Sequence, residues 1–305
     1  MFALDLIDRG IMLDLRSNCR ISYKTLAENL NISSNAIKNR IEGLIKTRIL
    51  DRYFIQLSRA MVNSEVMFVL LYTDKSIDDD TLSELVFKEP SVVQIHFDSY
   101  GSCIVRAECF GAKHMGELSQ FFRGIESVEE AEIHTLPSRK GQKVDLSNLQ
   151  LRVLAPLLDN PRMPISKIAK QTGLTARRVR RTLSELIETE AVEFTISWNL
   201  AAANATFFAF RMRWDPKVID LGIIEEKINA DYPNRLWNFI YSATESLLWV
   251  NFLVDHASDV EAIAASLRNI PSLVIETTIL VYPPKKKRMV RENILRELIS
   301  KAGYI

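Results

Sequence analysis

The sequence is poor in the residues that build metal, redox and phosphate-binding sites. Its 305 residues include three cysteines and four histidines, with no CxxC pair and no histidine that has a metal-ligand partner at helical or hairpin spacing. Glycine-rich phosphate loops, GxSxG elbows and HExxH motifs are also missing. These absences weigh against the usual zinc, redox, nucleotide and hydrolase sites. We therefore expect no metal, no cofactor and no enzymatic activity.

The few cysteines and histidines are expected to be structural. Cys103 and Cys109 are an even number of positions apart on one predicted strand, so they share a face and should be packed rather than paired. Cys19 stands alone in a predicted loop. The histidines to which we assign a structural role are His96, His114, His134 and His256.

Long apolar runs and a strong net charge are lacking too. The longest apolar stretch, VMFVLLY, is far shorter than a membrane span, and the N-terminal MFALDLIDRG has acids where a signal peptide has lysines. We expect a cytosolic protein without a membrane partner. The formal net charge is +1, so any affinity for nucleic acid must come from local patches.

One such patch is the segment GLTARRVRRTLSELIETEAV, residues 173–192, which has four arginines within five positions. At 100° per residue these arginines fan over one side of a helix, and Val179, Leu183, Leu186 and Ile187 gather on the other. Thr175 is a good N-cap. Because the arginines lie near the positive end of the helix dipole, local helix electrostatics does not explain them.

The preceding residues place this helix in a helix-turn-helix. A short helix is predicted over 165–172, followed by a tight turn at Thr172 to Leu174 and then by the arginine helix. In this motif the second helix enters the DNA major groove with its N-terminal residues. The pattern therefore predicts that the arginines face phosphates and base edges of double-stranded DNA.

The same pattern occurs twice. Residues 26–50 align with residues 168–192 at a constant offset, with Leu174 lying 142 positions after Ile32. Apolar or small residues match at every inward position, including Ile45 with Ile187. The outward residues differ, because Asn35, Lys38 and Asn39 stand where the second copy has arginines. Each copy is followed by an alternating stretch, 50–58 and 192–200, which suits a wing or a strand leading away from it.

After each helix-turn-helix the elements follow the order βαββαβ, which predicts a ferredoxin-like four-stranded sheet with helices on one face. The fold class is α+β, with two tandem copies of a winged helix-turn-helix and a ferredoxin-like domain. We expect helix-turn-helix domains at 1–62 and 141–202, ferredoxin-like effector or dimerisation domains at 63–140 and 203–284, and a basic helical tail at 285–305. A second sheet in the same chain is available to cover the open face of the first.

This arrangement resembles the Lrp/AsnC family of feast-or-famine transcription regulators of bacteria and archaea, almost end to end and twice over. The resemblance implies a sequence-specific regulator that binds DNA, a small-molecule effector as a second partner, and a pseudo-dimer within one chain, with homodimers or larger assemblies left open. It places on the two recognition helices Ser33, Ser34, Asn35, Lys38, Asn39 and Arg40, and Thr175, Arg177, Arg178, Arg180 and Arg181.

The sequence departs from the family in two respects. Family members that sense amino acids usually have a glycine-containing turn, with an aspartate shortly after it, in the hairpin between the second and third strands of the sheet. Here the hairpins read FDSYGSCIVRAE and YSATESLLWVNF, with Gly101 in the first, no glycine in the second, and no following aspartate in either. This weighs against amino-acid sensing. The unlike recognition helices also predict a DNA site with two unequal halves.

Two other functions remain as alternatives. Some proteins that resemble this architecture are siroheme decarboxylases, and a carboxylate-rich tetrapyrrole could use Arg106, Arg211 or Arg213. An architectural DNA binder without an effector is the other alternative. For the tail we favour a helix packed on its own domain after a solvated basic lead-in at Lys285 to Arg288, against an oligomerisation or DNA-backbone helix.

Overall fold

The structure is a computed structural model that describes residues 4–137, 141–203 and 205–305. Apart from the four-residue helix Arg59–Val62 and the elements after Leu280, its helices and strands follow the same order in both halves, which confirms the predicted α+β tandem repeat. The first half contains α1 (Leu6–Ser17), α2 (Tyr23–Leu30), α3 (Ser34–Lys46), β1 (Leu50–Leu57), α4 (Arg59–Val62), β2 (Glu65–Thr73), α5 (Asp79–Phe87), β3 (Val92–Phe97), β4 (Cys103–Cys109), α6 (Gly111–Arg123) and β5 (Val128–Leu136). The second half contains α7 (Asn148–Leu154), α8 (Ile165–Thr172), α9 (Ala176–Glu188), β6 (Val192–Trp198), β7 (Thr206–Trp214), α10 (Leu221–Asp231), β8 (Leu236–Tyr241), β9 (Leu247–Val254), α11 (Ala257–Leu267), β10 (Leu273–Leu280), β11 (Lys286–Lys287) and α12 (Val290–Lys301).

Contacts between these elements gather the chain into two units, each of which draws on both halves. The sheet unit consists of Glu65–Pro137 and Leu200–Arg288 together with the N-terminal residues up to Arg9. The helix-turn-helix unit consists of Gly10–Ser64, Ser138–Asn199 and Met289–Ile305. Like segments of the repeat thus associate with each other rather than with their neighbours in sequence.

The sheet unit contains two antiparallel sheets with the strand order of a ferredoxin-like fold, β3-β4-β2-β5 and β8-β9-β7-β10. Each sheet buries one face under its own two helices, with Phe122 of α6 and Ile263 of α11 in the respective cores. The other faces pack against each other within the chain, where Phe68 meets Trp249 edge to face at 4.8 Å between ring centroids. The second copy therefore covers the open face of the first.

The helix-turn-helix unit is joined by a ribbon of two antiparallel strands, β1 and β6, with Tyr53 opposite Ile196 and Phe54 opposite Thr195. From the sequence we expected each of these segments to form a wing or to lead away from its own domain. They instead pair with each other across the two copies. Pairing satisfies the backbone groups of both strands, which would otherwise remain as open edges.

The tail differs from the favoured expectation. Lys286 and Lys287 form β11 and pair with Ile95 and Gln94 of β3, respectively, so the basic run extends the first sheet rather than lying free in solvent. It is held by opposite charges, since Lys285 lies 2.8 Å from a carboxylate oxygen of Asp80. The helix α12 then packs in the helix-turn-helix unit against β1 and α7.

Cys103 and Cys109 are free and buried, as expected, and Cys19 is free and buried too. Among the residues that the structure describes, no cluster of histidines, cysteines and carboxylates is placed to hold a metal ion. The same residues include no helix that is both long enough and apolar enough to cross a membrane.

Candidate nucleic-acid interface

Both recognition helices begin at a side-chain cap. The Ser33 hydroxyl accepts a hydrogen bond of 3.1 Å from the backbone N–H of Ala36, and the Thr175 hydroxyl accepts one of 3.3 Å from that of Arg178. Each cap satisfies a backbone donor that the first helical turn leaves without a partner. The caps fix where α3 and α9 start, and therefore which residues stand at their N-terminal ends.

The first recognition helix, α3, presents a polar and weakly charged face. It buries Ile37, Ile41 and Leu44, while the side chains that point away from the core are mostly uncharged. Lys38 lies 3.8 Å from Glu42, a loose pair on the same face. Of the residues predicted for DNA contact, Arg40 is half-buried and five are exposed, namely Ser33, Ser34, Asn35, Lys38 and Asn39.

The second recognition helix, α9, presents a strongly basic face. It buries Val179, Thr182, Leu183 and Leu186, and the predicted contact residues are all exposed, namely Thr175, Arg177, Arg178, Arg180 and Arg181. The two helices are therefore built alike inside and differ outside.

The four arginines of α9 are not equivalent. Arg181 donates from Nε to Glu185 at 2.8 Å, one helical turn further on, so part of its charge is already compensated. Arg177, Arg178 and Arg180 make no ion pair or side-chain hydrogen bond with any residue in the described ranges. Three unpaired positive charges on the first turns of a capped helix are suited to the phosphates of a nucleic acid.

One pair of residues predicted to point inward does not. Ile45 and Ile187 occupy equivalent positions in the two copies and are 45% and 36% exposed. Each lies eight positions after the first buried residue of its helix, about 80° around the helix axis, which puts it at the edge of the apolar stripe. The inward stripe is thus narrower than expected in both copies.

A second feature that concerns function is a cavity in the sheet unit, which motif analysis of the sequence does not reveal. Its volume is about 840 Å³, and its wall combines Tyr72 and Tyr100 with the turn that follows β3 and with β10. It carries more acid than base. Its charged lining residues are Asp98, Glu130, Glu132, Glu276 and Arg211.

The arginine of this cavity, Arg211, already forms ion pairs with two of its carboxylates. Arg211 lies 2.7 Å from Glu132 and 2.9 Å from Glu276, and Glu132 also lies 2.8 Å from Nε2 of His134. Burial opposes the charge of Glu132, but the hydrogen bonds from His134 and Arg211 outweigh burial and lower the pKa of this carboxyl to about 2. The same bonds raise the pKa of Arg211 above its usual value against the effect of burial.

Two regions match known DNA-binding domains. Residues 4–45 match the AsnC-type helix-turn-helix domain, and residues 146–193 match a winged helix-turn-helix DNA-binding domain. Both recognition helices fall inside the matched regions, apart from the last residue of α3.

Two relatives with similar sequences are transcription regulators of archaea. The HTH-type transcriptional regulator LysM of Sulfurisphaera tokodaii is 32% identical over 88 residues, which cover 29% of this chain and 61% of that protein. An uncharacterised HTH-type transcriptional regulator of Pyrococcus abyssi is 27% identical over 96 residues, which cover 30% of this chain and 64% of that protein. The chain therefore spans less than two thirds of the length of these relatives.

The whole chain is similar in fold to the siroheme decarboxylase NirDL, with a TM-score of 0.53 and 14% identity over 97% of this chain and 99% of that one. The same protein in complex with an iron-uroporphyrin III analogue matches with a TM-score of 0.53 and 13% identity. At this identity the likeness concerns the fold, and it agrees with the tandem order of domains. The matched helix-turn-helix domains and the similarity to archaeal regulators confirm the resemblance of this chain to the Lrp/AsnC family.

Proposed function

We propose that this protein is a sequence-specific DNA-binding regulator of transcription that reads DNA with α3 and α9. The observation that carries the proposal is the presence of two helix-turn-helix domains in one chain, one of which presents three exposed arginines without a partner in the described ranges. The similarity to archaeal transcription regulators supports it. As part of this proposal, the two DNA-binding domains span 1–62 and 141–202, the two ferredoxin-like domains span 63–140 and 203–284, and the tail spans 285–305.

The two recognition helices have different tasks in this mechanism. On α9, Arg177, Arg178 and Arg180 contact phosphates, and one of them can read guanine by a bidentate contact worth about 1 to 3 kcal/mol of discrimination. On α3, the amide of Asn35 or Asn39 suits the edge of an adenine. Because the faces differ, the DNA site has two unequal halves.

The proposal includes a small-molecule effector bound in the cavity of the sheet unit. Carboxylates outnumber the lone arginine of the wall, and that arginine is bonded to two of them, so an anionic ligand would be repelled. The Tyr72 and Tyr100 rings add surfaces that favour organic cations. We therefore infer a ligand that bears an amine and no carboxylate, in agreement with the departures from the amino-acid-sensing pattern in the hairpins.

The same chemistry bears on the alternative of a tetrapyrrole enzyme. The fold likeness to NirDL favours it, and the arginines suggested for it from the sequence were Arg106, Arg211 and Arg213. Both Arg211 and Arg213 are bound to Glu276, at 2.9 and 2.5 Å. Since these charges are already compensated, they are poorly suited to bind the carboxylates of a tetrapyrrole. The regulator is the better supported function.

The test is fluorescence anisotropy of the full chain on the DNA upstream of its own gene and on a shuffled duplex of equal length, over a series of salt concentrations. A steep salt slope with clearly tighter binding to the native duplex is the expected result. Equal binding to both duplexes would favour the architectural alternative. Absence of binding at low salt would overturn the proposal, and the purified protein would then be titrated with an iron porphyrin and followed by absorbance.

A further inference from the structure

The turn before each helix-turn-helix contains the same arginine. In the first copy Arg20 follows Asn18 in the sequence NCRI, and in the second Arg162 follows Asn160 in NPRM, again 142 positions later. Both turns close alike. The backbone N–H of Ile21 donates to the Asn18 carbonyl at 3.0 Å, and that of Met163 donates to the Asn160 carbonyl at 2.9 Å.

Each arginine reaches across to the other copy. Arg20 donates from Nη1 to the carbonyl of Pro161 and from Nη2 to that of Met163, the latter at 3.1 Å. Arg162 donates from Nη1 to the carbonyl of Cys19 and from Nη2 to that of Ile21, the latter at 3.1 Å. Each guanidinium therefore binds the two carbonyls that flank the other arginine. This is the reciprocal contact of a twofold dimer, made here within one chain.

The pair, which we call the arginine clamp, is a demanding arrangement. Burial lowers the pKa of Arg20, and the neighbouring charge of Arg162 lowers it further. Two guanidinium groups of like charge can remain adjacent in a half-buried site when fixed carbonyl oxygens accept the hydrogen bonds of each planar group. A relative shift of the two turns would break bonds on both sides at once. The clamp thus opposes sliding or rotation of one copy against the other.

The clamp works together with the β1–β6 ribbon. The backbone N–H of Cys19 donates to the Phe194 carbonyl of β6 at 2.8 Å, which ties the first turn to the ribbon. Within each copy the turn leads directly into the first helix of the helix-turn-helix, against which the recognition helix packs. Fixing the two turns therefore fixes the positions from which α3 and α9 extend.

We propose that Arg20 and Arg162 are positioning residues that set the separation and relative rotation of the two recognition helices, so that the protein accepts half-sites at one spacing. The inference rests on the proposed function for its DNA consequence, but the rigidity of the pair can be measured without DNA.

The clamp is not symmetric in strength. The guanidinium carbon of Arg162 lies 5.0 Å from the ring centroid of Tyr23 and 5.5 Å from that of Tyr53, both of the first copy. The positions equivalent to these tyrosines around Arg20 are Ile165 and Thr195. Because aromatic rings stabilise a cation, replacing Arg162 should have the larger effect.

The first experiment measures distances in the free protein. Spin labels on cysteines introduced at the equivalent exposed positions Glu42 and Ser184 report the separation of α3 and α9, since the native cysteines are buried. We expect a narrow distance distribution for the wild-type clamp, a broader one for Arg162→Lys, and the broadest for the double variant Arg20→Met and Arg162→Met. Arg152→Met, an exposed arginine of the same unit, is the matched control. Equal widths in all variants would overturn the proposal.

The second experiment uses a DNA site selected from random sequence, with one or two base pairs added between its half-sites. Each added base pair turns one half-site by about a tenth of a helical turn. We expect wild-type affinity to fall by about tenfold or more per added pair, and that of Arg162→Lys to fall by less than about threefold. Spacing dependence that is the same in both would contradict the role of the clamp, even where DNA binding itself is intact.

The two proposals fail in distinguishable ways. If specific DNA binding is absent and the distance distribution is narrow but broadens in the variants, the regulator proposal is wrong and the clamp proposal holds. If DNA binding is specific and the widths of the distance distribution do not change, the clamp proposal is wrong and the regulator proposal holds. If the double variant does not fold, the conservative Arg162→Lys change still tests the clamp, because lysine keeps the charge but cannot bind two carbonyls with one planar fork.

Discussion

Replacing the arginines of α9 one at a time should reveal which of them contact phosphate. Arg177, Arg178 and Arg180 have no side-chain partner in the described ranges. Arg181, in contrast, lies 2.8 Å from Glu185. An arginine that releases counterions from DNA on binding changes the slope of log affinity against log salt by about 0.9. Arg181 already has its counterion in Glu185, so its own contribution should be small.

These numbers give a definite expectation. Three phosphate contacts correspond to a slope of about −2.7, which lowers affinity about 40-fold between about 50 and 200 mM salt. We expect replacement by Gln of each arginine that contacts only phosphate to reduce the slope by about 0.9, and Arg181→Gln to reduce it by less than half as much. Conversely, Glu185→Gln releases Arg181 and should steepen the slope by about 0.9 while tightening binding.

The assay is fluorescence anisotropy on a selected duplex, with Arg123→Gln in the sheet unit as the control for net charge. Compensation of Arg181 by Glu185 would be refuted if Arg181→Gln flattened the slope as much as replacement of a phosphate-contacting arginine, or if Glu185→Gln left the slope unchanged. In either case the pair on the helix surface would not compensate charge in solution, as is common for exposed ion pairs.

Three further predictions concern stability. Removing a helix cap by Ser33→Ala or Thr175→Ala should lower the free energy of unfolding, measured by urea titration, by about 1 kcal/mol. The control is Ser166→Ala at an exposed position, and an equally large loss there would contradict a role for the caps. Arg291 is 5% exposed and bonds to Glu193 and to the Leu57 carbonyl, so Arg291→Met should cost about 3 kcal/mol, whereas Arg296→Met, at a site 45% exposed, should cost less than about 1. Glu132 has a pKa of about 2 in the folded chain, below that of an unfolded glutamate, so its contribution is complete above about pH 4.5 and is lost as the pH falls towards 2. Urea titrations at several pH values should therefore show a smaller acid destabilisation for Glu132→Gln, and an unchanged one would contradict this account.

The sequence predicted what depends on local pattern. The helix over 165–172 and the cap at Thr175 agree with the structure to the residue, because apolar spacing and capping are decided within a few positions. The order βαββαβ was also correct in both halves. Alignment of the two halves extended to the turns at Arg20 and Arg162 would also have shown the repeated arginine.

Contacts between distant segments could not be predicted in the same way. The β1–β6 pairing joins residues more than a hundred positions apart, and an alternating stretch does not identify its partner strand. The basic run at Lys285 to Arg288 looked like a solvated segment, since nothing near it in sequence indicates Asp80 or Glu84 as partners. The cavity is likewise assembled from several strands and one turn of both halves.

The paired turns of Arg20 and Arg162 are symmetric, whereas the exposed faces of α3 and α9 differ. Because the two copies lie in one chain, a symmetric frame and unequal recognition helices can occur together. In a homodimer every change on a recognition helix appears twice, so the two faces must stay alike. In this chain the reciprocal bonds of Arg20 and Arg162 are kept, while Arg178 and Arg180 have no arginine at the equivalent positions Ala36 and Lys38. The tail adds asymmetry of its own, because α12 packs on β1 and has no counterpart on β6 among the described residues. Since the frame stays symmetric while the faces differ, the spacing of the DNA half-sites should depend on the clamp and their sequences on α3 and α9, and variants of each should change one property without the other.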